Sequence, residues 1–232
     1  MALNKQVFKT RALTAVVFAV VMLVALFSGG IVFIILFSVI HFGCWYEFVK
    51  LIRKISSSNY FAFIPLGLLY LTLPFVLFFM MAFPALSNFN AFKNMEFGKY
   101  VAVLPCGIFF SIWINDTMAY VVGSFIGKTP FSKISPKKTW EGTAGGALLC
   151  VAVAALVSNF INYFSVKDWI IIAAICAVFG TLGDLLESKL KRLAVVKDSG
   201  TFMPGHGGFL DRFDSFLLAT PFVWLYVHFA ML

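Results

Sequence analysis

The 232 residues are 61% hydrophobic and only 12% charged, with a formal net charge of +8. Soluble domains run at about 45–50% apolar and about 25% charged, so this composition excludes a globule wrapped in solvated charge and points to a chain inserted in a bilayer. The basic excess then argues for anionic headgroups and phosphorylated substrates, not nucleic acid, because a nucleic-acid binder needs a solvated basic face.

Apolar runs long enough to span, about 20 residues each, fall at 12–28, 31–49, 61–83, 100–126, 142–164, 169–187 and 209–232. They predict an all-α, polytopic transmembrane bundle of about seven helices. Lys5, Lys9 and Arg11 before the first run imitate the start of a signal peptide, but no small-residue cleavage site follows, so a retained helix is expected. Only Gly29-Gly30 separates the first two runs, which demands a tight hairpin or a tilted, re-entrant pair. The 29 phenylalanines are expected to face lipid. Cys44, Cys106, Cys150 and Cys176 lie singly in apolar runs and read as packing residues. No linker or repeat divides the chain, so one membrane domain is expected over 1–232, with N-terminal helices over 1–99 and a motif-bearing half over 100–232.

The N-terminal tail and the segments 50–59, 127–141 and 188–208 alternate onto one side of the membrane and hold most of the 18 lysines and arginines. By the positive-inside rule that side, with the N-terminus, is cytoplasmic. Both motif-rich segments, 127–141 and 188–208, then face the compartment that holds nucleotides.

Ionisable groups within or at the mouth of membrane helices are functional candidates by default. Five stand out: Asp116, Asp184, Glu187, Asp211 and Asp214. Asp184 and Glu187 are spaced i, i+3, with Ser188 at i+4, and Asp211 and Asp214 repeat the spacing in the last helix, so two carboxylate pairs sit at one depth. Oxygen ligands without clustered cysteine or histidine suit Mg²⁺ or another hard cation; ion pairing with Lys189, Arg192 and Arg212 is the structural alternative. Between the pairs, Lys189, Lys191, Arg192 and Lys197 precede a turn, Pro204-Gly205-His206-Gly207-Gly208, that opens a helix. Glycines let backbone amides approach an anion at a helix N-terminus, so a phosphate-binding loop is expected. Ser135-Pro136-Lys137-Lys138-Thr139-Trp140-Glu141-Gly142 offers cations and a hydroxyl before another helix; read alone, it is equally a basic anchor with a capping turn. Asn115 and Asp116, with Tyr120 one turn later, are expected to line a cavity reaching inward from the loops.

These residues resemble the phosphatidate cytidylyltransferases, or CDP-diglyceride synthases. The run 188–214 is similar to that family's signature: Ser188, Lys191-Arg192, Lys197-Asp198, His206-Gly207-Gly208 and Asp211-Arg212-Phe213-Asp214 stand in the family order. The segments 135–142 and 115–120 also look like family motifs. In one departure, family members commonly carry more helices before the Asn-Asp segment, whereas three apolar spans precede it here.

The resemblance implies transfer of CMP from CTP to phosphatidic acid, giving CDP-diacylglycerol and pyrophosphate for phospholipid biosynthesis, with Mg²⁺ and a second cation. It implies a metal held by Asp184, Asp211 and Asp214, with Lys189 and Arg192 beside them as catalytic cations. Substrate contacts fall to Asn115, Asp116, Ser135, Lys137, Lys138, Thr139, Glu141, Ser188, Lys197, Asp198, His206, Gly207, Gly208 and Arg212. A bacterial inner membrane, a cytoplasmic-facing site and a homodimer accord with it. Two other readings use the same residues: a CTP-dependent polyprenol or phytol kinase-like enzyme, which needs a base for its alcohol acceptor, and an anionic-solute transporter, which should show two related halves.

Overall fold

A computed structural model describes residues 5–84, 99–161, 163–203 and 207–231, with the backbone alone for 5–11. Those residues form seven helices, and no strand occurs among them. They are α1 (Lys5–Phe27), α2 (Gly30–Ile55), α3 (Tyr60–Ala82), α4 (Val103–Ile126), α5 (Trp140–Ser158), α6 (Val166–Leu193) and α7 (Leu210–Phe229). Helices α2 to α6 are each long and apolar enough to cross a membrane. The apolar stretch of α1, Ala12–Phe27, is shorter, and α7 has 20 residues with a charged first turn. In hydrocarbon every backbone group must find its partner inside the segment, which explains why the spans are helical throughout; this is an integral membrane protein.

The hairpin expected at Gly29-Gly30 is present. Gly29 has φ +115°, a conformation that side-chain-bearing residues rarely adopt, and α2 starts directly after it. Helix α3 is composite: a 3₁₀ turn (Tyr60–Phe63), an α turn (Ile64–Gly67), a π turn (Leu68–Thr72) and an α segment (Leu73–Ala82). Pro74 has no amide to offer the Tyr70 carbonyl four residues back, and the wide π turn stands where that bond would have closed.

Two features differ from the sequence expectation. Helix α6 runs to Leu193 instead of ending near Glu187, so Ser188, Lys189, Lys191 and Arg192 are helical. The phenylalanines also divide between two roles. Phe27, Phe42, Phe61 and Phe125 are exposed on the outer surface, but Phe33, Phe37, Phe75, Phe78, Phe109, Phe213 and Phe216 are buried. Ring centroids 4.9 Å apart join Phe78 to both Phe37 and Phe216, and Phe109 stacks on Phe216 at 5.2 Å. These rings draw α2, α3, α4 and α7 into one core, since aromatic faces and edges fill the spaces between helices more densely than lipid does.

Elsewhere small residues set the packing. The α5 glycines lie against α4, where a Cβ added at Gly145 would come within 2.6 Å of Val122 Cγ1 and one at Gly146 within 2.7 Å of the Ala119 amide nitrogen. Such close approach is how membrane helices associate without a hydrophobic driving force. Gly183 of α6 likewise lies against the Asp214 backbone of α7. The two seams bring α4, α5, α6 and α7 together at the level of their charged residues.

Candidate active site

Between α4, α5, α6 and α7 lies a half-open polar cavity of about 430 Å³. Helix α4 contributes Asn115, Asp116 and Tyr120, and the segment leading into α5 contributes Lys137, Lys138 and Thr139. Thr181 and Asp184 enter from α6, and Asp211, Arg212 and Asp214 from α7. Residues from three separate sequence motifs thus share one wall-to-wall space. Lys138 forms an ion pair with Asp184 across it. Asn115 is buried; its amide nitrogen donates to Asp116 Oδ1 at 3.3 Å, while its Oδ1 has no hydrogen-bond partner among the described residues. A buried amide oxygen without a donor is costly, so this atom is a ready acceptor for a bound group.

Local hydrogen bonds shape the segment before α5. Thr139 caps the helix by accepting from the Gly142 amide at 3.1 Å, while the Glu141 carboxylate accepts from the amides of Lys128 and Thr129. The Phe131 amide donates to the Lys138 carbonyl at 2.7 Å, and the Lys138 amide to that of Ser135 at 3.1 Å. Ser135 and Glu141 therefore fold the segment and lie outside the cavity lining, whereas Lys137 and Lys138 are presented to it.

The turn between α6 and α7 is built on carboxylates. Asp211 Oδ2 accepts from the Gly208 amide at 2.8 Å and the Ser199 amide at 2.9 Å, and Lys191 Nζ donates to its Oδ1 at 2.6 Å. Lys191 also pairs with Glu187, which is fully buried. Gly207 has φ +86°, and an added Cβ there would press on the Asp211 carboxylate. The Ser188 hydroxyl donates to Asp184 Oδ1 at 3.2 Å. His206 lies outside the described residues.

Other expected residues are not part of the lining. Lys189, Arg192, Lys197 and Asp198 are all exposed, and the Arg192 guanidinium bonds the Val196 carbonyl at 3.2 Å. Helical geometry accounts for Lys189: Asp184, Ser188 and Lys191 recur at i, i+4 and i+7 on one face, and Lys189 falls off it, while Arg192, one turn after Ser188, is turned to the Val196 carbonyl. Lys191, not its two neighbours, is the cation that turns inward.

The sequence reading also missed Glu47 of α2. It is 3% exposed, and accepts from the Phe209 amide at 3.0 Å, the Leu210 amide at 2.9 Å and the Ser199 hydroxyl at 2.7 Å. That hydroxyl also lies 2.8 Å from Asp211 Oδ2, so one proton serves two carboxylates. An acidic residue inside an apolar helix was the available signal. Thr181 was legible too, one turn before Asp184 on the same face.

Asp116, Asp184 and Asp214 offer hard oxygen donors of the type Mg²⁺ takes. Among the described residues no three histidine, cysteine or acidic side chains are gathered closely enough to enclose an ion. Mg²⁺ commonly binds one or two carboxylates and completes its shell with waters and substrate phosphates, so an open set of acids beside cations fits it.

Comparison with known proteins supplies the family. Phosphatidate cytidylyltransferases of Staphylococcus saprophyticus and Staphylococcus aureus are each 32% identical to this chain, over 92% of it and 96% of their own length. The Bacillus subtilis phosphatidate cytidylyltransferase is 48% identical over 49% of the chain and 43% of its own length. The first alignment runs over 259 residues against the 232 of this chain, so that relative has residues with no counterpart here. The model of the cytidylyltransferase family matches residues 70–230, a stretch that holds α4 to α7 and every residue lining the cavity, and the chain belongs to that family.

Proposed function

We propose that this protein transfers CMP from CTP to phosphatidate, giving CDP-diacylglycerol and pyrophosphate, in the cavity between α4, α5, α6 and α7. One observation carries the reading: a membrane-embedded polar space combines Lys137, Lys138 and Arg212 with Asp116, Asp184 and Asp214. Cations alone would suit any anion; cations with a set of acids suit a polyphosphate that arrives with a metal.

The chemistry asks for little else. The phosphate of phosphatidate is ionised near neutral pH, so its oxygen attacks the α-phosphorus of CTP without a general base. The new P–O bond forms as the bond to the β-phosphate bridging oxygen breaks, and pyrophosphate departs with the electron pair. Catalysis then consists of positioning and charge stabilisation. Lys137, Lys138 and Arg212 hold the anions, and the Asn115 carbonyl oxygen accepts from a donor on the substrate. Asp184 and Asp214, with Asp211 beside them, would be the carboxylates that hold Mg²⁺. Bound there, Mg²⁺ would neutralise phosphate charge and polarise the reacting phosphorus.

The positive-inside rule applied to the basic segments supports a cavity mouth on the cytoplasmic side of a bacterial inner membrane, where CTP is available. Purified protein given CTP, phosphatidate and Mg²⁺ is expected to release pyrophosphate and form a CDP-lipid. Absence of both products beside an active control would overturn the reading, and a phosphorylated lipid alcohol formed instead would favour the kinase-like one.

A further inference from the structure

A second cavity, of about 460 Å³, lies between α1, α2 and the turn that leads into α7. Its walls are almost wholly apolar: Val17 and Val21 from α1, Leu36 from α2, and Phe202, Phe209 and Phe213 from the turn and α7. Phe18 is the anchor that reaches across, with its ring 6.4 Å from Trp113 and 6.1 Å from Phe213, while Val17 and Val21 beside it remain well exposed.

The first turn of α7 is the partition between this groove and the polar cavity. Asp211, Arg212 and Asp214 line the polar side, and Phe209 and Phe213 line the apolar side. A helix with its side chains is about 10–12 Å across, a span that a glycerol phosphate and the first carbons of its acyl chain cover together. A molecule whose anion meets Arg212 can therefore lay a hydrocarbon chain in the groove without leaving this turn. Only an amphiphile has both parts. Free nucleotide, inorganic phosphate and detergent-like neutral lipids each match one side alone.

We propose that the α1–α2 groove receives one acyl chain of the phosphatidate substrate, so that α1 and α2 select for chain length. This rests on the proposed reaction only in naming phosphatidate as the lipid. Volume and lining suit the role: pockets of about 300–1,000 Å³ with apolar walls and a charged group at one end bind small amphiphiles. The charge on the other side of the turn is Arg212, complementary to the lipid phosphate.

The test uses intact protein in phosphatidylcholine vesicles containing phosphatidate with a photoreactive diazirine at the end of one acyl chain. Labelling at 13–22 and 36–40 that excess unlabelled phosphatidate suppresses, and excess phosphatidylcholine does not, is the expected result. Labelling spread over the outer helix faces without competition would overturn the groove and leave ordinary boundary lipid. In a second arm, Val17→Trp and Leu36→Trp fill the groove. Each is expected to raise the KM for dioleoyl phosphatidate roughly tenfold, the scale on which apolar pockets discriminate, with the KM for dioctanoyl phosphatidate and for CTP unchanged. An equal rise for both chain lengths would count against the groove. Competed groove labelling without pyrophosphate release from CTP would sink the proposed reaction and keep the groove; release without competed labelling would sink the groove alone.

Discussion

Glu47 Oε2 accepts a hydrogen bond from the Leu210 amide at 2.9 Å, so a carboxylate in the second helix caps the seventh, 163 residues away along the chain. The first turn of a helix leaves its amides without internal partners, and a buried end needs acceptors from elsewhere. Gly200 and Gly208 leave room for the carboxylate, since a Cβ at either would run into it. Glu47→Ala is expected to lower the thermal unfolding midpoint in detergent, because buried donors left unpaired cost about 1–3 kcal/mol each. Glu47→Gln keeps one accepting oxygen and should fall between the two. A midpoint unmoved by the alanine would refute the capping role.

Asp184, Asp211 and Asp214 should separate on substitution. Asp184→Asn and Asp214→Asn are expected to lose turnover by about 10²-fold or more while unfolding near the wild-type temperature. Asp211→Asn should lose both, because that carboxylate holds the Ser199 and Gly208 amides and the Lys191 ammonium. Turnover and unfolding measured on the same preparations decide the matter; a stable, inactive Asp211→Asn would assign it to chemistry alone.

Lys138→Ala should raise the apparent KM for CTP or phosphatidate by about tenfold or more, the worth of a charge-assisted hydrogen bond. Lys189→Ala, on the exposed side of α6, should leave both KM values within about twofold. Steady-state kinetics on the two variants contrast a cation inside the cavity with one outside it. Equal effects would mean that the lysines act only through the general surface field.

Chelation with EDTA should abolish pyrophosphate release, and added Mg²⁺ should restore it. Asp184→Glu, if it retains activity, should need more Mg²⁺ for half-maximal rate than wild type. An unchanged Mg²⁺ requirement would remove Asp184 from the ion's shell.

The seven helices were legible because a span must be apolar over its whole length, and polar breaks between runs are hard to mistake. The end of α6 was not. Lys191 looks like the start of a cytoplasmic loop, yet its charge is met by Glu187 and Asp211, and the helix continues past it. The two carboxylate pairs were readable from i, i+3 spacing, as were Lys137 and Lys138 from their motif. Which of several neighbouring cations turns inward depends on helical phase, and the phase becomes known only once the helix end is known, as the contrast of Lys191 with exposed Lys189 shows. Glu47 lies in the half of the chain without motifs. Its partners are two backbone amides and the Ser199 hydroxyl, which no residue pattern announces.

The seam between α4 and α5 decides how wide the polar cavity is. At Gly146 the two helices meet backbone to backbone, and an added Cβ would lie 2.7 Å from the Ala119 amide nitrogen and 2.8 Å from the Asn115 carbonyl oxygen. Nothing compressible lies between them, so the distance from Asn115 and Asp116 to Lys138 is gauged by side chains that are missing. Charge selects the guest, but the calibre of the opening is written in glycine.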